Sequence, residues 1–365
     1  MNLVCATACG SAQEQGDDDR RMPQARRKIA RVMSTTLRHP AGEVWVDELP
    51  DGKRRITVQP YSESMFVPRK SCVTSYPAGL IELILNVKGP SYLCDEIARD
   101  EDPSYVQALI QSSIWAYVDH GSFANKRILD FGCGCGASTI FLARKCRQTQ
   151  FVGVELDKSL LTVAAARVEH YGCQNVAFSA SPSGDRIPTE IGDFDYIIMN
   201  TVYEHLLPNE RRLLLPQIWS ILKQGGVLFI IGLPYRYSPI EQHTTGLPLL
   251  NYFPDKIALA IAHRFSKRVR RDESWASLLR KGIRGGSVLE ILNLIRQTCD
   301  DEPVLLEPNN LGLHDRVDLW YLLSVSSRLP RLKRFLRTLF KMIKRVSGVT
   351  LVPYLSLAVR KGNRI

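Results

Sequence analysis

The stretch Arg127-Ile-Leu-Asp-Phe-Gly-Cys-Gly-Cys-Gly136 decides the fold. Ile128 to Phe131 is a short apolar run interrupted by one carboxylate near its end, the composition of a buried strand. Gly132, Gly134 and Gly136 follow at alternate positions, and Ala137-Ser-Thr-Ile-Phe-Leu-Ala-Arg144 then opens a helix with an apolar face. A glycine loop between strand and helix lets a ligand approach the backbone, because no Cβ stands in the way. The helix N-terminus adds unpaired N–H groups to the same place. The stretch therefore predicts a nucleotide-type site.

The loop alone leaves two cofactor classes open. Gly132-x-Gly134-x-x-Ala137 satisfies the dinucleotide pattern, and Glu155 lies at about the expected distance for a ribose carboxylate. Asp130 separates the two readings. A carboxylate two residues before the first glycine repels a pyrophosphate, whereas it holds a ligand that carries a free ammonium. Asp130-Phe-Gly-Cys-Gly-Cys-Gly136 resembles motif I of the class I S-adenosylmethionine-dependent methyltransferases. That resemblance implies S-adenosyl-L-methionine as cofactor and a Rossmann-like α/β sandwich. Its sheet has seven mostly parallel strands with an antiparallel last strand, here carrying an N-terminal cap and a lid insertion.

Later segments follow in the family's order. Gln150-Phe-Val-Gly-Val-Glu155 reads as the second strand, and its terminal Glu155 is expected to accept the ribose hydroxyls; Asp157 is the better cap for the next helix. Asn175-Val-Ala-Phe178 reads as the third strand. Related enzymes usually place an acidic residue soon after it for the adenine amino group. Here Ser179-Ala-Ser-Pro-Ser-Gly-Asp185 stands there, with Asp185 late, so Ser181 or a backbone group is the candidate. Asp193 to Asn200 is the fourth strand, and the following Thr201-Val-Tyr-Glu-His-Leu206 is similar to the E-H-L signature of small-molecule methyltransferases. Asn200 falls at that strand's carboxyl end, where open α/β sheets bind ligands. Leu222-Lys-Gln-Gly-Gly226 matches the family's L-K-x-G-G and reads as a helix stop before a fifth strand, Val227 to Gly232.

Charge is unevenly placed. The 365 residues carry a net +11, yet residues 260–365 hold 21 Lys and Arg against 9 Asp and Glu, so the basicity belongs to the C-terminal third. Leu332, Phe335, Leu336, Leu339, Phe340, Ile343 and Val346 fall on one stripe of a helix over 330–346, with seven basic residues on the other side. This pattern suits either an anionic membrane surface or a helix packed on the protein with a solvated basic face. Nucleic acid is a poor match, since no aromatic pattern accompanies the charge. No apolar run reaches the length of a membrane span, the N-terminus lacks a signal-peptide pattern, and nine cysteines occur without a C-x-x-C pair. A cytoplasmic protein, peripheral on the membrane if the basic helix binds there, is the expectation.

The chain divides accordingly. Residues 1–34 read as disordered, 35–104 as the cap, and 105–235 as the cofactor core, entered by a helix from Tyr105 to His120. Residues 236–285 form the lid insertion, whose His243-Thr-Thr-Gly-Leu-Pro248 resembles a lid element of bacterial methyltransferases associated with surface-polysaccharide synthesis. Residues 286–365 complete the core: helix Ser287 to Cys299, strand six at Pro303 to Glu307, the basic helix, and a last strand over 354–361.

The resemblance implies methyl transfer to a small-molecule or glycan hydroxyl, on a lipid-linked precursor if the basic helix meets a membrane. A hydroxyl acceptor needs a base, and His205, Glu204 and His243 are the candidates. A metal-assisted route through Glu204 and His205 is an alternative, but two ligands alone do not make a site, so no metal is assigned. Two other classes compete. A nicotinamide oxidoreductase would share the glycine loop but leave Asp130 and Glu204-His205 without a role, and a non-catalytic membrane module would keep only the basic helix.

Overall fold

A computed structural model describes residues 34–61, 69–103, 110–299, 301–324 and 329–362. The segment read as disordered lies, apart from Ser34, outside the described residues. The cap is a four-stranded antiparallel meander, β1 (Ser34–His39), β2 (Gly42–Glu48), β3 (Arg54–Pro60) and β4 (Ser71–Thr74), followed by α1 (Ala78–Lys88) and α2 (Pro90–Glu101). Val44 and Val46 of β2 and Ile56 and Val58 of β3 alternate onto one face, as a half-buried sheet requires. They pack with Ile81, Ile84, Leu93 and Ile97 of the two helices. Each such buried aliphatic side chain is worth roughly 1.5–3 kcal/mol of transfer free energy.

The short helix α3 (Ser112–Trp115) leads to β5 (Arg127–Phe131). Of the single helix expected from Tyr105 to His120, residues 105–109 lie outside the described residues; in the described part α3 ends at Trp115, and His120–Phe123 is a separate 3₁₀ turn. From β5 the chain winds through α4 (Ala137–Lys145), β6 (Gln150–Glu155), α5 (Lys158–Tyr171), β7 (Val176–Ala180), β8 (Phe194–Asn200), α6 (Pro208–Ser220) and β9 (Leu222–Pro234). An insertion follows with the two-residue strands β10 (Ile240–Glu241) and β11 (Leu247–Pro248), then α7 (Asp255–Phe265) and α8 (Trp275–Arg280). The core closes with α9 (Val288–Thr298), β12 (Glu302–Leu305), α10 (Arg316–Leu323), α11 (Pro330–Ser347) and β13 (Tyr354–Gly362).

The seven-stranded sheet has the order β12-β13-β9-β8-β5-β6-β7. Strands β9, β8, β5, β6 and β7 are parallel, and β13 runs antiparallel to both its neighbours. Leu129, Ile197, Ile230 and Leu357 face Trp219, Ile291 and Phe340 on one side, while Ile128, Ile198 and Phe229 face Ile114 and Phe141 on the other. The chain leaves β5 toward β6 on one side and reaches β8 on the other, so a crevice opens at the carboxyl ends of β5 and β8. Leu222–Gly226 does not terminate a helix. The helix has ended at Ser220, and Leu222 already pairs with Phe194; a register shift follows in β8, where a Cβ on Gly226 would stand 2.8 Å from the Asp195 carbonyl oxygen.

One buried polar network fastens the cap to the core. Arg167 of α5, wholly buried, donates to Glu96 Oε1 (2.9 Å) and to the Glu96 carbonyl (2.8 Å), to the Tyr76 hydroxyl (2.9 Å) and to the carbonyl of Cys135 (2.7 Å), and stands 3.4 Å from Asp100. The glycine loop is thus held through a carbonyl by a cation that the cap neutralises. Burial drives the Glu96 carboxyl up, but Arg99, Arg167 and Lys88 outweigh it and bring the group to about 2.

Among the described residues all cysteines are free, and no helix is long and apolar enough to cross a membrane. On α11 the apolar face is wider than the core it meets. Leu336, Phe340 and Ile343 pack inward, whereas Leu332, Phe335, Met342 and Val346 stay exposed. Part of the basic side is spent on the protein itself: Arg337 and Lys341 reach Asp318, and Lys344 reaches Glu307.

Candidate active site

The cofactor half grows from β5. Its burial runs through Phe131, so Asp130 is carried into the interior and is 2% exposed. Asp130 Oδ2 accepts the Thr139 hydroxyl (2.6 Å) from the first turn of α4; no described group takes its other oxygen. Burial pushes this carboxyl up to about 6, with Glu155 adding to the rise and the Thr139 hydroxyl opposing it. Gly132, Gly134 and Gly136 all adopt positive φ, at 74°, 55° and 74°. The space a Cβ would take at Gly134 is open, which leaves the backbone bare toward a ligand.

Glu155 ends β6 beside this loop. Its Oε2 accepts the Gly134 N–H (2.9 Å) and its Oε1 the N–H groups of Leu156 (2.7 Å) and Asp157 (3.1 Å). The cap of α5 is Asp157, which accepts from Ser159 N. Ser181 is committed elsewhere: its hydroxyl donates to the carbonyls of Arg186 (2.5 Å) and Ser183 (3.2 Å), closing its own loop. Asp185 likewise receives the Ser183 hydroxyl.

The second half grows from β8. Asn200 ends the strand with its Oδ1 buried and unpartnered. Thr201 then takes φ 54°, a conformation β-branched residues avoid, and the chain turns sharply into a 3₁₀ turn, Tyr203–His205. Arg211 of α6 holds this turn from outside by donating to the carbonyls of Leu206 (3.0 Å) and Glu204 (3.3 Å). Glu204 therefore points inward, 1% exposed, with neither carboxylate oxygen hydrogen-bonded. Burial pushes it up to about 8.

The insertion completes this half. His205 Nδ1 lies 2.8 Å from the carbonyl of Arg280 at the end of α8, which makes Nδ1 the protonated nitrogen and Nε2 an acceptor. Nε2 is buried without a partner, 3.8 Å from Glu204 Oε1. Burial pushes the imidazole down to about 4, so this approach is no ion pair at neutral pH. His243 joins from the β10–β11 hairpin, its ring centroid 5.7 Å from that of His205 and its Nδ1 again buried and unpartnered. Burial and the neighbouring imidazole push it down to about 3.

Sequence reading named Glu204, His205 and His243 but missed what positions them. Arg280 pairs with both oxygens of Glu210 while its carbonyl orients His205. Thr139 was also missed, although a hydroxyl in the first turn after a glycine loop is a usable signal. For Arg167, the signal was a guanidinium on the apolar face of α5.

Comparison with known proteins places this geometry. The family model described as a methyltransferase domain matches residues 128–226, from β5 into β9. Residues 128–226 are thus a methyltransferase domain, and S-adenosylmethionine is its cofactor. The chain is 25% identical over 134 residues to a carboxy-S-adenosyl-L-methionine synthase of Photobacterium profundum, covering 37% of this chain and 54% of that protein. It is 28% identical over 106 residues to an uncharacterized protein of Synechocystis sp., covering 29% and 21%. The chain thus spans about half the length of the first relative and about a fifth of the second. A solved structure, PKMT2 from Rickettsia typhi in complex with AdoHcy, superimposes with a TM-score of 0.42 at 13% identity, over 71% of this chain and 54% of that one. The nicotinamide alternative falls with the family match.

Proposed function

We propose that this methyltransferase methylates a hydroxyl group on a small-molecule or glycan acceptor. S-adenosylmethionine supplies an activated methyl group on a sulfonium centre. The chain's residues bind it and handle the acceptor's proton. Asp130, through its free oxygen, takes the ammonium; Glu155 takes the ribose hydroxyls beside the open backbone of Gly134; the Asn200 Oδ1 orients the ligand between the two halves.

The observation that carries the acceptor reading is the Glu204–His205–His243 cluster, which lies just after the end of β8 and brings one carboxylate oxygen and one nitrogen from each imidazole within 4.8 Å of one another. An amine acceptor brings its own lone pair once neutral, whereas a hydroxyl must lose a proton as it reacts, and a group near the working pH is suited to take it. Glu204, held near 8, is such a group. The test is incubation with methyl-labelled S-adenosylmethionine and a panel of hydroxylated sugars, phenols and amines. Label on hydroxyl oxygen supports the reading. Label on nitrogen alone, or a carboxylated cofactor as the only product, overturns it.

We further propose an anionic membrane surface as partner of α11. Its exposed stripe, Leu332, Phe335, Met342 and Val346, is flanked by Arg331, Arg334 and Arg345, which form no ion pair among the described residues. A groove of about 750 Å³ beside it is lined by Arg334, Arg337, Lys344 and Arg345. Apolar side chains with a cationic margin suit shallow insertion among anionic headgroups. Co-sedimentation with phosphatidylglycerol vesicles, lost in a Phe335→Glu/Val346→Glu variant, is the expected result; equal pelleting with neutral vesicles, or none, removes it. These positions are exposed, so the fold survives the change.

A further inference from the structure

We propose that Glu204, His205 and His243 form a binding site for one divalent transition-metal ion. One ligand atom from each residue lies within 4.8 Å of the other two. Four buried atoms of these residues have no hydrogen bond: both Glu204 oxygens, His205 Nε2 and His243 Nδ1. A buried polar atom left unmatched costs about 1–3 kcal/mol. Such a cost in four adjacent places calls for a common partner. A single water has only two hydrogens to give, so a cation is the better match.

The surroundings are those of a ligand set. The Arg280 carbonyl accepts from His205 Nδ1 and so aims the Nε2 lone pair into the cluster, the device that fixes tautomer and ring orientation at metal-bound histidines. The His243 loop is pinned by Glu241, whose carboxylate accepts the N–H groups of His243 (3.0 Å), Thr244 (2.9 Å) and Thr245 (2.6 Å). Glu241 is thereby consumed and does not compete. Gly282, at φ 90°, makes the close packing possible: a Cβ there would stand 2.7 Å from His243 Nε2 and 3.2 Å from Glu204 Cγ. The nearby cations Arg211 and Arg280 are neutralised by Glu290 and Glu210.

Ligands about 2.1 Å from a tetrahedral ion stand roughly 3.4 Å apart. The Glu204–His205 separation of 3.8 Å is close to this, and side-chain rotation would have to close the widest gap, at most 4.8 Å, by up to about 1.4 Å. Two imidazoles and one carboxylate select zinc or another borderline first-row ion over magnesium or calcium. Three protein ligands leave a position open. Resting on the hydroxyl-acceptor reading above, the acceptor oxygen would take that position, where its pKa falls. Its proton would leave to bulk water, with Glu204 then a ligand instead of the base, and the oxygen would attack the methyl group as S-adenosylhomocysteine departs.

The test begins with full-length protein stripped by chelator and titrated calorimetrically with zinc and with cobalt(II). One ion per chain is expected, with cobalt absorption typical of a mixed nitrogen–oxygen site. Glu204→Gln and His243→Ala are each expected to lower affinity at least about 100-fold while S-adenosylmethionine still binds, which verifies the fold. No binding by the wild type, or binding untouched by both substitutions, overturns the site. Metal bound as described with no hydroxyl methylated would sink the acceptor reading and leave the site standing. Full turnover by stripped protein would refute the role given to the metal.

Discussion

Replacing Asp130 by Asn is expected to move stability and cofactor affinity in opposite directions. Burial raises this carboxyl from 3.8 to about 6, so the fold favours its neutral form. The associated stability is fully present below about 3.8 and is lost as pH rises through about 6. At pH 7 the ionised group therefore costs the free protein roughly 3 kcal/mol relative to a neutral isostere. Asparagine removes that cost and keeps an acceptor for the Thr139 hydroxyl. It also removes the charge proposed to hold the ammonium, worth about 1.5–3 kcal/mol in a charge-assisted bond, or roughly 10- to 200-fold in affinity. In the wild type the carboxylate is about 0.9 ionised at pH 7 and about 0.1 at pH 5, so cofactor affinity should weaken about tenfold over that span. The Asn variant should show no such pH dependence. Calorimetric titration with S-adenosylmethionine at pH 5 and 7, alongside thermal unfolding without ligand, reads all three effects. If the Asn variant is less stable at pH 7, or the wild type binds equally at both pH values, the assignment of Asp130 as a buried, ligand-directed charge is wrong.

Other substitutions test separate parts of the same argument. Thr139→Val removes the one hydrogen bond that opposes the rise at Asp130 and should weaken S-adenosylmethionine binding at pH 7, with the apparent pKa of binding moved upward. Arg167→Leu leaves Asp100 buried without its cation and Glu96 with only Lys88 and Arg99, each 3.9 Å away; a loss of about 3–5 kcal/mol is expected from denaturant titration, with proteolysis starting in the cap. An unchanged midpoint would mean the cap is held by its apolar contacts alone. Gly282→Ala drives a methyl into His243 and Glu204, so turnover should fall at least about tenfold while calorimetric cofactor affinity stays within about twofold. Loss of cofactor binding in this variant would show the two halves to be coupled more tightly than the geometry indicates.

The parts of this molecule that sequence made legible are those governed by neighbours along the chain. Asp130 and the glycines report themselves because strand, loop and helix N-terminus are consecutive, and each demands a recognisable residue type. The parallel core follows from such strand–helix units. Leu222–Gly226 misled because a glycine pair after an apolar helix terminates it in most settings, whereas here the residues pair with β8, which no local pattern records. Helix α11 showed an amphipathic stripe, yet periodicity does not say how much of a stripe finds a partner. The core covers Leu336, Phe340 and Ile343 and leaves Phe335 and Val346 to solvent.

The candidate chemistry divides along the same line. Glu204 and His205 are adjacent, but their arrangement depends on two residues of the insertion, the Arg280 carbonyl and His243, which sequence distance hides. Arg280 also grips Glu210 at the start of α6, so one residue locks the insertion to the core and sets the tautomer of His205. The methyltransferase core alone contains the whole cofactor half and only part of the second. Arg280→Ala should accordingly separate two effects: its carbonyl remains, but without the Glu210 pair the end of α8 loosens, and turnover falls while S-adenosylmethionine affinity does not. Restoring turnover with Arg280→Lys, which keeps a cation for Glu210, would assign the effect to that anchor; equal loss in both variants would assign it to the guanidinium's fork geometry.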